Sequence, residues 1–114
     1  MNEINHLDID LLQGYKESLG EDVLLKMLDM YEQQSKIYLS DIEKSVLANS
    51  QQLWHEHCHK MKGAAGSVGL LKVNQLLSSI DKVVESQSWK SEQFTLLNSL
   101  NVEGLVAFKA WLNV

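Results

Sequence analysis

The chain contains no proline, one cysteine and only six glycines in 114 residues. Proline breaks helix interiors and is common in turns, so its absence points to a mostly helical chain with short connections. One cysteine excludes an internal disulfide and makes a reducing cytoplasm the default compartment. No apolar run approaches the roughly 20 residues of a membrane span. The opening MNEINHLDID lacks the basic and apolar regions of a secretory leader. Positive charge is also in short supply: ten Lys and Arg stand against fifteen Asp and Glu, a net charge of -5. That balance argues against nucleic acid or an anionic membrane surface as a partner. There is no internal repeat, no Cys-x-x-Cys pair and no nucleotide-binding glycine loop.

What is present is an apolar residue every three or four positions, the helical period. The length fits one domain over 1–114 that can bury its own core. A short helix is expected over 8–19, capped by Asp8 or Asp10, with Leu12, Tyr15 and Leu19 on one face and Gly20 as its stop. A long helix follows, striped by Leu24, Leu28, Tyr31, Ser35, Tyr38, Ile42 and Val46. Asn49 or Ser50 caps a third helix. A fourth is expected from about Leu71 to Glu85, with Val73, Leu76, Leu77, Ile80 and Val84 inward. Residues 86–91 read as a loop that folds Trp89 back onto apolar surface. The last helix offers Phe94, Leu97, Leu100, Phe108 and Trp111 to the core, with Gly104 permitting a close helix contact. The pattern is all-α: an antiparallel up-down four-helix bundle with a short extra N-terminal helix, closing its core as a monomer.

The third helix carries WHEHCHKMKGAAGSVGL. Three of the chain's four histidines and its one cysteine lie between positions 55 and 59. At about 100° per residue, Trp54, His57, Met61, Ala64, Ala65 and Val68 fall on the side opposite His59 and form the inward face. His55, Glu56, Lys62, Gly63 and Gly66 fall within roughly 60° of His59 and form the outward stripe. An outward face usually carries long charged side chains, yet two glycines stand here, at about 1 kcal/mol each relative to alanine. Their effect is to keep the surface beside His59 low. Lys62, one turn on, can set an ammonium beside an anion on the histidine. An exposed neutral imidazole is a competent nucleophile near neutral pH. Nucleophile, cation and cleared space together suit reversible phosphorylation of histidine.

The stretch HKMKGAAGSVG resembles the motif of the histidine-containing phosphotransfer (HPt) domain, H-x-x-K-G with a further glycine beyond; His59, Lys62, Gly63 and Gly69 are the matching positions. The GAAGSVGL continuation and the later FKAWL look most like the HPt domains that end hybrid sensor kinases of respiratory control. The resemblance implies that His59 accepts a phosphoryl group from a receiver-domain aspartate and passes it to another. It implies that Lys62 neutralises phosphoryl oxygens, that Gly63 leaves steric clearance and that Gly69 ends the helix. A polar residue on the next helix is expected to hold the histidine ring, and Asp81 is the candidate. The domain would be a carrier without kinase activity of its own and with no cofactor, the receiver supplying Mg²⁺ and the acidic pocket. Receiver docking is expected around His55, Glu56, Lys60, Gly66, Ser67 and Leu70, with Leu71 beside them. The domain would face the cytoplasm, without direct membrane contact, either free-standing or as the C-terminal part of a membrane-anchored hybrid kinase.

Two blander readings compete. His55 and His59, at i and i+4, could bind zinc, as adventitious metal more readily than native, with Glu56 or Cys58 assisting. The bundle could also be a structural adaptor whose histidines merely cover a helix face. His57 reads as a core-edge histidine and Cys58 as a small, part-buried residue.

Overall fold

The computed structural model describes residues 6–114. Residues 1–5, part of the span read as one domain and of the opening stretch, lie outside the described residues. Five helices follow in order: α1 Ile9–Leu19, α2 Glu21–Leu47, α3 Gln51–Ser67, α4 Leu71–Ile80 and α5 Gln87–Leu112. Helices α2 to α5 form the bundle, each packed on its neighbour in sequence and α5 closing the ring against α2. No described helix is long and apolar enough to cross a membrane.

Local chemistry sets most of the boundaries. The Asp8 carboxylate accepts from Leu11 N and caps α1, and Gly20, at φ +90, ends it. Ser50 caps α3 by accepting from Leu53 N. The ends of α2, α3 and α5 share one device. Residues Asn49, Gly69 and Asn113 take positive φ. The amide of each, and that of the residue after it, bond back three and five positions into the helix they leave. This pairing satisfies carbonyls that a helix end would otherwise strand. Gly69 thus turns α3 into α4, as the motif implies. A Cβ there would meet Leu12 at 3.1 Å, because α1 is seated on this turn. Asp8 N donates to Gly69 O, and the Tyr15 hydroxyl donates to Ser67 O.

The core stripe of α2 is as its spacing indicates, except that Tyr38 is half-buried and Ser45 joins the interior. On α1, Leu12 is buried but Leu19 is exposed, since it lies in the final turn beside Gly20. Leu76, Phe94, Leu100 and Trp111 line the edge of the core, not its centre. Gly104 does permit a close approach: Leu70 of the α3–α4 turn lies 3.3 Å from where its Cβ would stand.

The largest departure from expectation is at the end of α4. The helix stops at Ile80, not near Glu85, and Val84 is 78% exposed. The reason lies on α3. The Trp54 indole donates to Ile80 O, the His55 ring to Asp81 O and the Gln51 amide to Val83 O. Carbonyls that a longer α4 would use for its own ladder are taken by side chains of the neighbouring helix. Residues 81–86 make the connection instead. Helix α5 starts early, because the Ser86 hydroxyl accepts from Trp89 N and caps it. Trp89 therefore belongs to the first turn of α5, where its ring lies 6.4 Å from that of Trp54.

Candidate functional site

Trp54, Cys58, Met61 and Ala65 are the residues of α3 that reach the core. Their common direction turns His59 outward, with 62% of its side chain exposed. The direction of burial also corrects one neighbour and leaves His57 half-buried at the core edge, as its spacing indicates. Cys58, read as part-buried, is fully enclosed. Burial, reinforced by the Asp81 charge and opposed by the Lys90 ammonium, pushes the Cys58 thiol up from 9.0 to about 12. A thiol in that state is neither a nucleophile nor a ready metal ligand at neutral pH.

Four side chains converge at the junction of α3 with the end of α4. Asp81, which follows the last turn of α4, is 2% exposed. Its Oδ2 accepts a hydrogen bond from Lys62 Nζ at 3.2 Å. The same oxygen lies 3.7 Å from His59 Nδ1, an ion-pair distance longer than a hydrogen bond. A carbonyl can only accept, so the His55 Nδ1 that bonds Asp81 O at 3.0 Å carries the proton. The rings of His55 and His59 are 5.9 Å apart. Nδ1 is therefore the His59 nitrogen that faces protein, and Nε2 is the one left for a partner.

Beneath this junction lies Lys90, 3% exposed although it is a lysine. Its ammonium donates to Gln51 Oε1 at 2.6 Å and sits 5.6 Å from the centre of the Trp54 ring. Sequence periodicity missed it because residues 86–91 read as a loop.

One turn past His59, Gly63 faces open space: a Cβ built there meets nothing within 4 Å. Gly66 has a different reason for its size. A Cβ there would come within 2.9 Å of Asn74 Nδ2, which donates to Lys62 O. Gly66 makes room for a side chain of α4 as much as it lowers the outward surface.

The expected docking residues divide accordingly. Glu56, Lys60 and Ser67 are exposed, and His55 is half-buried against the end of α4. Leu70 is fully buried and can present nothing to a partner, because the bridge to Leu7 and the contact with Gly104 enclose it. Leu71 is half-buried. On the opposite flank of α3 runs an apolar groove of about 320 Å³, lined by Met27, Met30, Tyr31, Gln34, Ala64, Ser67 and Val68. Met30 there is 70% exposed. The groove was readable in principle: positions 27, 30, 31 and 34 form a second helical face on α2 beside the core stripe. Among the described residues, no three His, Cys, Asp or Glu side chains are grouped to hold a metal ion.

Comparison with known proteins gives a consistent result. A model of the Hpt domain matches residues 26–105. The aerobic respiration control sensor protein ArcB of Escherichia coli K12 is 30% identical over 109 residues, a match that covers 93% of this chain. ArcB of Shigella flexneri is equally similar over the same extent. The chain spans only 14% of the length of these relatives. The solved histidine-containing phosphotransfer domain of Escherichia coli ArcB superposes with a TM-score of 0.88 at 28% identity, over 99% of this chain and 98% of that one.

Proposed function

The chain belongs to the Hpt domain family of histidine phosphotransfer carriers, and from that premise we propose that His59 is its phosphoryl-accepting residue. It takes the group from an aspartyl phosphate on one receiver domain and delivers it to the aspartate of another. The observation that carries this reading is the geometry around His59. An exposed imidazole has one nitrogen turned to a buried carboxylate, a lysine within reach and open space one turn on.

Each residue has a role in this reading. Nε2 of His59 attacks phosphorus. Lys62, anchored on Asp81, swings its ammonium to the phosphoryl oxygens. Gly63 clears the path for the phosphoryl group and for the docking receiver. Asp81 orients the ring through Nδ1. Phosphoryl transfer also needs its charge neutralised, typically by Mg²⁺. We place that ion and its acidic pocket on the receiver: Asp81, the carboxylate paired with His59, is enclosed and engaged with Lys62. The domain is then a carrier that presents a nucleophile and a docking surface, acting as a monomer.

The docking surface is centred on Gly63. Glu56, Lys60 and Ser67 supply its polar part, His55 and Gly66 one margin, and the Met27–Met30 groove the apolar part on the other. The match to a sensor protein supports a place on the cytoplasmic side of a signalling system, within or beside a hybrid kinase.

The experiment is incubation with a phosphorylated receiver domain, followed by a search for label that is acid-labile and base-stable. Wild type should acquire it and His59→Gln should not. Lys60→Ala and Met30→Glu should keep the fold and slow acquisition. Label on His59→Gln would move the site elsewhere, and full rates for both surface variants would dismiss this docking face.

A further inference from the structure

We infer that the negative charge of Asp81, beyond its capacity to hydrogen-bond, sets how readily a phosphoryl group leaves His59. The inference rests on the phosphohistidine reading above. It starts from one atom. Oδ2 of Asp81 lies 3.2 Å from Lys62 Nζ and 3.7 Å from His59 Nδ1, so a lysine and a histidine share one buried carboxylate oxygen. The titratable groups on the ring's side are His55, Glu56 and Lys62 from its own helix, with Lys62 held on Asp81, and Asp81 from the end of α4. Among the described residues, no other carboxylate pairs with this ring within 4 Å.

The bond changes explain why charge matters there. When Nε2 attacks an aspartyl phosphate, the Nε2–P bond forms and the P–O bond breaks. The aspartate leaves as a carboxylate with the bonding electron pair. Nδ1 keeps its proton throughout, so the ring becomes cationic as the new bond forms. Delivery to the next aspartate reverses this: its oxygen attacks phosphorus, the Nε2–P bond breaks and neutral imidazole departs. A phosphorylated ring that had lost its Nδ1 proton would have to leave as imidazolate, a far poorer leaving group. A carboxylate beside Nδ1 stabilises the cationic ring and so preserves the transferable form, as a buried carboxylate does for an imidazolium elsewhere.

Lys62 makes the effect conditional. In the unphosphorylated protein its ammonium offsets the charge on Oδ2. Once a phosphoryl group sits on Nε2, the ammonium has a second and stronger anion one helical turn from its own Cα. As Lys62 moves to that group, the charge on Oδ2 is released to the ring. Arrival of the phosphoryl group thereby prepares its own departure. Asp81 acts through His59 and touches no reacting atom, so it is a positioning residue.

The test compares wild type with Asp81→Asn, which keeps an acceptor oxygen but not the charge. Both are phosphorylated on His59, and transfer to a receiver domain is followed from pH 5.5 to pH 9. At pH 8 the variant should transfer about tenfold more slowly. In mild acid, where solvent protonates Nδ1 in both proteins, the two rates should converge. Rates that differ by a constant factor at every pH would mean a merely structural role and overturn the inference, as would equal rates at pH 8. Should Asp81→Asn fail to fold, ¹⁵N NMR of the phosphorylated wild type decides: Nδ1 should still carry its proton at pH 8, and a deprotonated ring there overturns the inference. If wild type takes up no acid-labile, base-stable label at all, the phosphohistidine reading fails first and this inference falls with it.

Discussion

At the scale of single residues, the three glycines at the end of α3 separate by what surrounds them. Gly69 needs its positive φ, and Gly66 shelters Asn74. Gly63 has no internal reason to be small, since a methyl group there would touch nothing. Alanine at an exposed helix position is favoured over glycine by about 1 kcal/mol. Gly63→Ala should therefore raise the urea midpoint or leave it unchanged. If the cleared space serves phosphoryl entry and receiver docking, the same variant should transfer at least about tenfold more slowly, a change of about 1.4 kcal/mol in the barrier. A variant both more stable and equally fast would show that Gly63 has no part in the site.

At the scale of elements, the decisive contact is between α3 and the end of α4. The side chains of Gln51, Trp54 and His55 are spaced so that one face of α3 reaches the carbonyls of Ile80, Asp81 and Val83 at the end of α4. This cap holds Asp81 where Lys62 and His59 meet it, so the length of α4 and the composition of the site are one structural fact. Trp54→Phe keeps an aromatic ring in the core and removes the donor to Ile80 O. That carbonyl retains only the bond from Val83 N at 3.2 Å. Losing a buried hydrogen bond and some ring volume should cost about 1–3 kcal/mol in chemical denaturation. Hydrogen exchange at residues 80–83 should rise with it. An unchanged midpoint would mean that the Val83 bond alone satisfies the turn.

At the scale of the whole molecule, the ring of helices is closed by a polar connection inside an apolar core. The Tyr31 hydroxyl donates to Asn101 Oδ1, and Asn101 Nδ2 donates to Ser35 Oγ, joining α2 to α5. Burial raises the Tyr31 phenol well above its ordinary range, and burial likewise raises the Cys58 thiol to about 12. The sign follows from proton counting. From about pH 9 upward the unfolded chain releases a thiol proton that the folded chain retains, so folding stability falls as pH rises towards about 12. Tyr31 contributes in the same direction. The contribution is fully present at neutral pH. Urea midpoints measured at pH 8, 9.5 and 10.5 should decline steadily, and more gently in Cys58→Ala. Identical slopes in the two proteins would show that Cys58 is not a source of the decline.

The sequence by itself determined the helical class, the bundle, the inward stripe of α2, the turn glycines and the outward placement of His59, and it narrowed two helix caps to pairs of candidates from which the structure selects Asp8 and Ser50. These follow from interactions within a few residues: period, capping and backbone conformation. The face around His59 was legible for the same reason, since one helix carries the histidine, the lysine and Gly63. What only the tertiary structure decided involves a second helix. The end of α4 at Ile80 depends on side chains of α3, and the burial of Lys90 on Trp54 and Gln51. Leu70 is enclosed by Leu7 and Gly104. Asp81 was a position suggested by resemblance until packing placed its oxygen between Lys62 and His59. A carbonyl at a helix end or a charge in a core is satisfied by whichever neighbour reaches it, and that neighbour is fixed by packing, not by spacing along the chain.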